Sequence, residues 1–224
     1  MCGVRSQRVA ALLVLALVSA VGLAGCGAGD RSDSGAPVSN VSVEDDDGLN
    51  GVVLPRPYVV PAITLEDAAG RPYDVAKDPS KRLTLVFFGY TNCPDVCQVV
   101  MADIASAMTR LDPSERKQVG MLFVTTDPAR DDAATLRAYL DRFDRSFDGL
   151  TGALPRIVRF GKSFGVFIQK GQKLPSGGYD VNHSTQVVGM LPNGRAPFVW
   201  TQGTAPAALA EDISKILQGK VRGL

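Results

Sequence analysis

Three kinds of apolar pattern divide this chain. The first opens it: residues 9–23 are apolar throughout except for Ser19 and Gly22. The second is a pair of short, nearly continuous runs. Leu83-Thr84-Leu85-Val86-Phe87-Phe88-Gly89-Tyr90 predicts a buried central strand, and residues 119–125 predict another. The third is spacing by three and four. Cys97, Val100, Met101, Ile104, Met108 and Leu111 line one face of a predicted amphipathic helix, which Asp112-Pro113 ends. Thr91 or Asn92 suits its cap and Pro94 its first turn. Leu136, Tyr139, Leu140 and Phe143 predict a helix over 131–143, and residues 154–164 a further helix starting at Pro155. A short strand is expected over 166–169. Residues 187–191 and 196–200 flank Pro192-Asn193-Gly194-Arg195, a strong hairpin signal, and 206–217 closes the chain as a helix. Strand-like and helix-like segments thus alternate from about residue 58 onward, which predicts an α/β sandwich with a central mixed sheet flanked by helices.

The opening run changes the picture of where the protein works. Arg5 and Arg8 precede it and Leu23-Ala24-Gly25-Cys26 follows, the layout of a secretory signal with small residues at the cut. At about 15 residues the run is shorter than the roughly 20 a membrane helix needs. Leu-Ala-Gly-Cys looks like a bacterial lipobox, with Cys26 as the lipidated first residue of the mature chain, held at the extracytoplasmic face of the cell membrane. Residues 27–50 are rich in Gly, Ser and Asp and include Glu44-Asp45-Asp46-Asp47, too polar to build a core, so a flexible tether is expected. The expected organisation is a signal over 1–25, a lipidated Cys and acidic linker over 26–50, and one folded domain over 51–224. Without the first 25 residues the chain carries 22 basic and 23 acidic side chains, and nothing in that balance points to nucleic acid.

Cysteine usage sharpens the chemistry. Of the four cysteines, Cys2 leaves with the signal and Cys26 is spent on lipid. Cys93 and Cys97 remain in an oxidising compartment, where they can form a disulfide or hold a metal. Cys93 is expected at the strand-to-helix junction and Cys97 in or near the first turn. Residues i and i+4 of a helix share a face about 5–6 Å apart, so both thiols can turn to one point. The helix N-terminus favours thiolate, which both metal ligation and thiol exchange require. Generic thioredoxin-type oxidoreductases place two residues between their cysteines and a proline ahead of a later strand. Here three residues intervene, and the corresponding stretch, Asn182-His183-Ser184-Thr185-Gln186, has no proline. His183, the one histidine of the chain, is expected in a polar loop just before a strand, opposite the cysteine loop. Two thiolates and an imidazole suit Cu(I) in trigonal geometry and accept Cu(II) with a further weak ligand. Structural zinc would need a fourth ligand, such as Asp127 or a water. Haem attachment would need Cys-x-x-Cys-His, which is absent.

Phe88-Gly89-Tyr90-Thr91-Asn92-Cys93-Pro94-Asp95-Val96-Cys97, Val124-Thr125-Thr126-Asp127-Pro128-Ala129-Arg130-Asp131, Leu150-Thr151-Gly152 and Tyr179-Asp180-Val181-Asn182-His183-Ser184 together closely resemble the Sco/SenC (PrrC) family, in order and over roughly residues 58–218. The resemblance implies a thioredoxin-like fold with a β-hairpin insertion. It also implies copper held by Cys93, Cys97 and His183. The implied function is a metallochaperone for the dinuclear copper centre of cytochrome c oxidase subunit II. Further implied partners are another copper chaperone as donor and a thioredoxin-like reductant. Asp127 carries over as a supporting or partner-facing residue, with helix capping and turn formation as the competing role. Family members usually carry Thr where Asp132 stands. Tyr90 and Phe88 are expected to pack beneath the site. Two other functions stay open: a thiol-disulfide oxidoreductase that keeps the target cysteines reduced, and a redox or copper sensor.

Overall fold

The structure, a computed structural model, describes residues 48–173 and 179–221, with the side chains at 170, 172, 173 and 179–183 excepted. Cys26, the expected signal and all but the last residues of the expected tether lie outside the described residues. Strands β1 (Val52–Val59), β2 (Thr64–Asp67), β3 (Pro72–Asp74) and β4 (Leu83–Gly89) lead into helix α1 (Val96–Arg110) and the single turn α2 (Pro113–Arg116). Then follow β5 (Val119–Thr125), α3 (Ala133–Leu140), β6 (Asp148–Thr151) and α4 (Leu154–Ser163). A ribbon of β7 (Ile168–Lys173) and β8 (Tyr179–His183), the hairpin β9 (Val187–Met190) and β10 (Arg195–Trp200), and α5 (Pro206–Leu217) complete the chain.

Eight strands form one mixed sheet in the order β1-β10-β9-β4-β5-β6-β2-β3, while β7 and β8 pair only with each other. β4, β5 and β6 are parallel; the flanking pairs are antiparallel. The period of two along a strand sends alternate side chains to opposite faces. Leu83, Leu85 and Phe87 join one core with α1 and α5, together with Val119, Met121 and Phe123 of β5. Val86 and Phe88 join the other with Leu122, Val124 and the α4 residues Ile157 and Phe160. Both central strands are covered on both faces, which is why they read as unbroken apolar runs.

The expected hairpin forms: Gly194 takes φ 75°, and its N–H donates to the Leu191 carbonyl at 3.1 Å. α3 starts later than expected, at Ala133, because the Asp132 carboxylate accepts from the Thr135 N–H at 2.7 Å and caps it there. The periodicity gave no sign of β1, β2, β3 or β6 as separate strands; they are short or lie toward the sheet edges. No helix among the described residues is long and apolar enough to cross a membrane.

Where the chain enters the domain, buried Asp212 of α5 accepts from the Asn50 N–H and Nδ2, the Gly51 N–H at 2.8 Å and Trp200 Nε1 at 2.8 Å. Asp212→Ala leaves the Trp200 N–H without its acceptor in a dry core. We expect a loss on the order of 3 kcal/mol in urea unfolding. At the C-terminal end of β4, Gly89 lies against α1: a Cβ there would stand 2.9 Å from Phe123, 3.0 Å from Phe87 and 3.1 Å from the Cys97 sulfur. Gly89→Ala should cost about 1–3 kcal/mol in the same measurement, because neither ring nor helix has room to yield.

Candidate metal centre

The thiol pair stands where open α/β sheets place their ligand sites, at the C-terminal ends of the parallel strands. After β4 the chain does not enter a helix directly. The Cys93 N–H donates to the Tyr90 carbonyl at 3.2 Å and closes a turn. α1 begins at Val96, and Asp95 at its cap makes no side-chain capping bond. The expected start at Thr91 or Asn92 is therefore corrected. Thr91 lies five residues ahead of that start, and its N–H and hydroxyl donate to Asp131, at 2.9 and 2.6 Å. Cys97 lies in the first helical turn and Cys93 outside the helix, so a turn, and not the i, i+4 repeat, brings the thiols together.

Both cysteines are thiols with their side chains hydrogen-bonded to each other, Cys93 5 % exposed and Cys97 0 %. The bond to Cys93 and then burial push the Cys97 thiol far above the ordinary cysteine range. A backbone hydrogen bond from Tyr90 pulls it down, and the negative charges of Cys93 and Asp131 raise it further. The easing of thiolate formation expected from the helix N-terminus is outweighed by burial and by the bond between the two thiols. Tyr90 and Phe87 pack in the same cluster as the two sulfurs, whereas Phe88 lies on the other face of the sheet against Phe160 at 5.2 Å. Phe88 therefore does not pack beneath the site, as its position one residue after Phe87 requires.

Asp127 is buried and pairs with Arg130 through Nε. Its carbonyl accepts from the N–H groups of Arg130 and Asp131, both at 3.0 Å, and its own N–H donates to Thr125 Oγ1 at 2.9 Å. Arg130 in turn lies over the Tyr90 ring, 5.8 Å from its centroid. The residue shapes the loop between β5 and α3 from a position with its carboxylate already compensated. Asp131, fully buried, binds Thr91 as above, accepts from Thr125 Oγ1 at 2.7 Å, and offers its carbonyl to Thr151 Oγ1 at 2.8 Å. Sequence reasoning placed Asp131 at a helix start and missed this role. The available signal was a run of threonines at the ends of apolar strands, where ladder bonds run out. Tyr139 of α3 was also read only as core. Its hydroxyl is buried and has no hydrogen-bond partner among the described residues. Burial, above all, raises its pKa.

His183 ends β8, with its backbone in register with Ile168. The expected loop before a strand is instead the end of one strand, and three residues lead on to β9. The base of this ribbon is fastened by Ser184, whose N–H donates to the Phe167 carbonyl and whose hydroxyl accepts from the Phe167 N–H, both at 3.2 Å. Gln186 Nε2 adds a bond to the Phe164 carbonyl at 2.9 Å. The imidazole itself lies outside the described side chains. The structure thus brings Cys93 and Cys97 together, and it sets the backbone of His183 at the foot of a separate ribbon.

The sequence pattern of the SCO1/SenC family matches residues 55–218. A Stutzerimonas stutzeri protein whose name refers to copper binding is 31% identical over 149 residues, which cover 66% of this chain and 72% of that protein. The chain spans less of its mitochondrial relatives, between 40% and 60% of their length. Among solved structures, apo Sco1 from Thermus thermophilus superimposes with a TM-score of 0.65 at 30% identity, covering 76% of this chain and 96% of that one. ScoI of Bradyrhizobium japonicum with copper bound gives 0.62 at 28% identity, covering 70% of this chain and 99% of its own. The fold is the α/β sandwich that the apolar pattern predicts, thioredoxin-like as the family resemblance implies, and the chain belongs to the SCO1/SenC family.

Proposed function

We propose that this chain is a copper metallochaperone of cytochrome c oxidase assembly. It carries the metal on Cys93, Cys97 and His183 and hands it to the dinuclear copper centre of subunit II. The observation that carries this reading is the pair of adjacent buried thiols, Cys93 on the turn before α1 and Cys97 in its first turn. Two soft sulfur donors fixed side by side are half of a copper site before any metal arrives. Loading releases the thiol protons, since the metal takes the thiolate form. The same burial makes the empty pair a poor nucleophile, because rapid thiol exchange needs an accessible thiolate. Copper bound to a relative 28% identical over most of the domain supports the choice of metal. The subunit II target rests on the family resemblance.

A second reading keeps the same residues in another role. The two sulfurs are close enough to hydrogen-bond, so the pair can also close to a disulfide and act as a reductant for the target's cysteines. His183 separates the two, since delivery needs three ligands and exchange needs only the thiols. His183→Ala is expected to weaken copper binding at least a hundredfold in chelator competition and to abolish oxidase assembly, while disulfide exchange with glutathione persists. Normal oxidase activity in cells carrying that variant would sink the chaperone reading. Cys93→Ser and Cys97→Ser should each lose tight copper binding with the far-ultraviolet circular dichroism of the parent; global unfolding would show that the thiols serve the core instead.

The site works at a membrane surface in this reading. Cys26 bears the lipid, and residues 26–50 tether the domain at the extracytoplasmic face. Cys26→Ala should abolish labelling by radioactive palmitate and move the protein from the membrane to the soluble fraction. Retention of label would place the anchor elsewhere.

A further inference from the structure

We propose that Asp131 is the positioning residue of the thiol pair, gripping the Cys93 turn through Thr91 so that the two sulfurs are held in ligating register. This rests on the copper reading above.

The carboxylate is 0 % exposed, and no cation pairs with it among the described residues. Burying an unpaired carboxylate costs several kcal/mol unless hydrogen bonds satisfy it. Here three neutral donors do so. Oδ1 takes the Thr91 hydroxyl at 2.6 Å; Oδ2 takes the Thr91 N–H at 2.9 Å and the Thr125 hydroxyl at 2.7 Å. Thr91 is therefore held by both oxygens at once, two residues ahead of Cys93. The next bond along the chain, Cys93 N–H to the Tyr90 carbonyl, closes the turn around that grip. The far side of the clamp is rigid, because Thr125 ends β5 and Thr151, which holds the Asp131 carbonyl, ends β6. A core could be satisfied more cheaply by a neutral acceptor. A carboxylate offers only acceptors, so it cannot rotate a donor toward the three groups that bind it. Asp127, four residues earlier and also buried, is paired with Arg130.

The test compares Thr91→Val, Thr91→Ser and Asp131→Asn in the full-length chain. Readouts are Cu(I) affinity by chelator competition, the sulfur-to-Cu(II) charge-transfer bands, and the dithiol–disulfide equilibrium with glutathione. In that equilibrium two electrons and two protons pass from Cys93 and Cys97 to glutathione disulfide, which leaves as two glutathiones. Thr91→Val should weaken copper binding at least tenfold and broaden the charge-transfer bands. It should also lower the effective concentration of one thiol at the other about tenfold, a potential about 30 mV less negative. Thr91→Ser, which keeps the hydroxyl, should restore all three, and Asp131→Asn should exceed Thr91→Val. Wild-type affinity, bands and potential in Thr91→Val, with only a lower melting temperature, would overturn the proposal whether or not Asp131→Asn folds. A wild-type chain that binds no copper would defeat the copper reading alone; the thiol potentials of the Thr91 variants would still decide the role of Asp131.

Discussion

Three parallel strands end at one buried residue, Asp131, two of them at its carboxylate and the third at its carbonyl. Backbone and hydroxyl groups at the C-terminal ends of β4, β5 and β6 run out of ladder partners just where the chain must leave the sheet, and buried polar groups demand replacements. Asp131 supplies them to Thr91, Thr125 and Thr151 from a single position. The cysteine turn, the start of α3 and the crossover after β6 are all fixed relative to the sheet by this one residue. Remove the carboxylate and the Thr91 and Thr125 groups must find water or another acceptor by moving, while the carbonyl still holds Thr151.

The chemistry of the empty thiols follows from a contest of magnitudes. A helix N-terminus stabilises a negative charge by about 0.3–1 kcal/mol, less than one pKa unit. Full burial can raise a thiol by about 3–5 units. With Cys97 at 0 % exposure and its sulfur bonded to a neighbouring thiol, burial and pairing win, and the dipole only moderates the outcome. Buried and paired, the thiols hold their protons, and in the proposed site an incoming ion is what makes the sulfurs anionic.

The sequence made the central strands legible because β4 and β5 are covered on both sides, leaving no polar position to interrupt the pattern. The hairpin was legible because Gly194 needs a backbone region that few other residues reach. The spacing of Cys93 and Cys97 announced the site but not its geometry. The turn ahead of α1 is held through Thr91, whose partner lies 40 residues away. Thr151 is 20 residues from Asp131 in the other direction. Local spacing cannot report a network whose members are gathered by the sheet. Phe88 was misplaced for a simpler reason, since adjacent strand residues must face opposite ways.

The ribbon of β7 and β8 joins no strand of the main sheet. In the proposed ligand set the sulfurs therefore ride on a stiff slab, while the imidazole rides on a two-stranded flap. Such a ribbon is marginally stable by itself, and a few bonds from Ser184 and Gln186 secure its hinge. A grip built this way can loosen one finger at a time. In that set the nitrogen and the two sulfurs answer to separately anchored elements, so a change at the base of the ribbon bears on one ligand and leaves the other two in place.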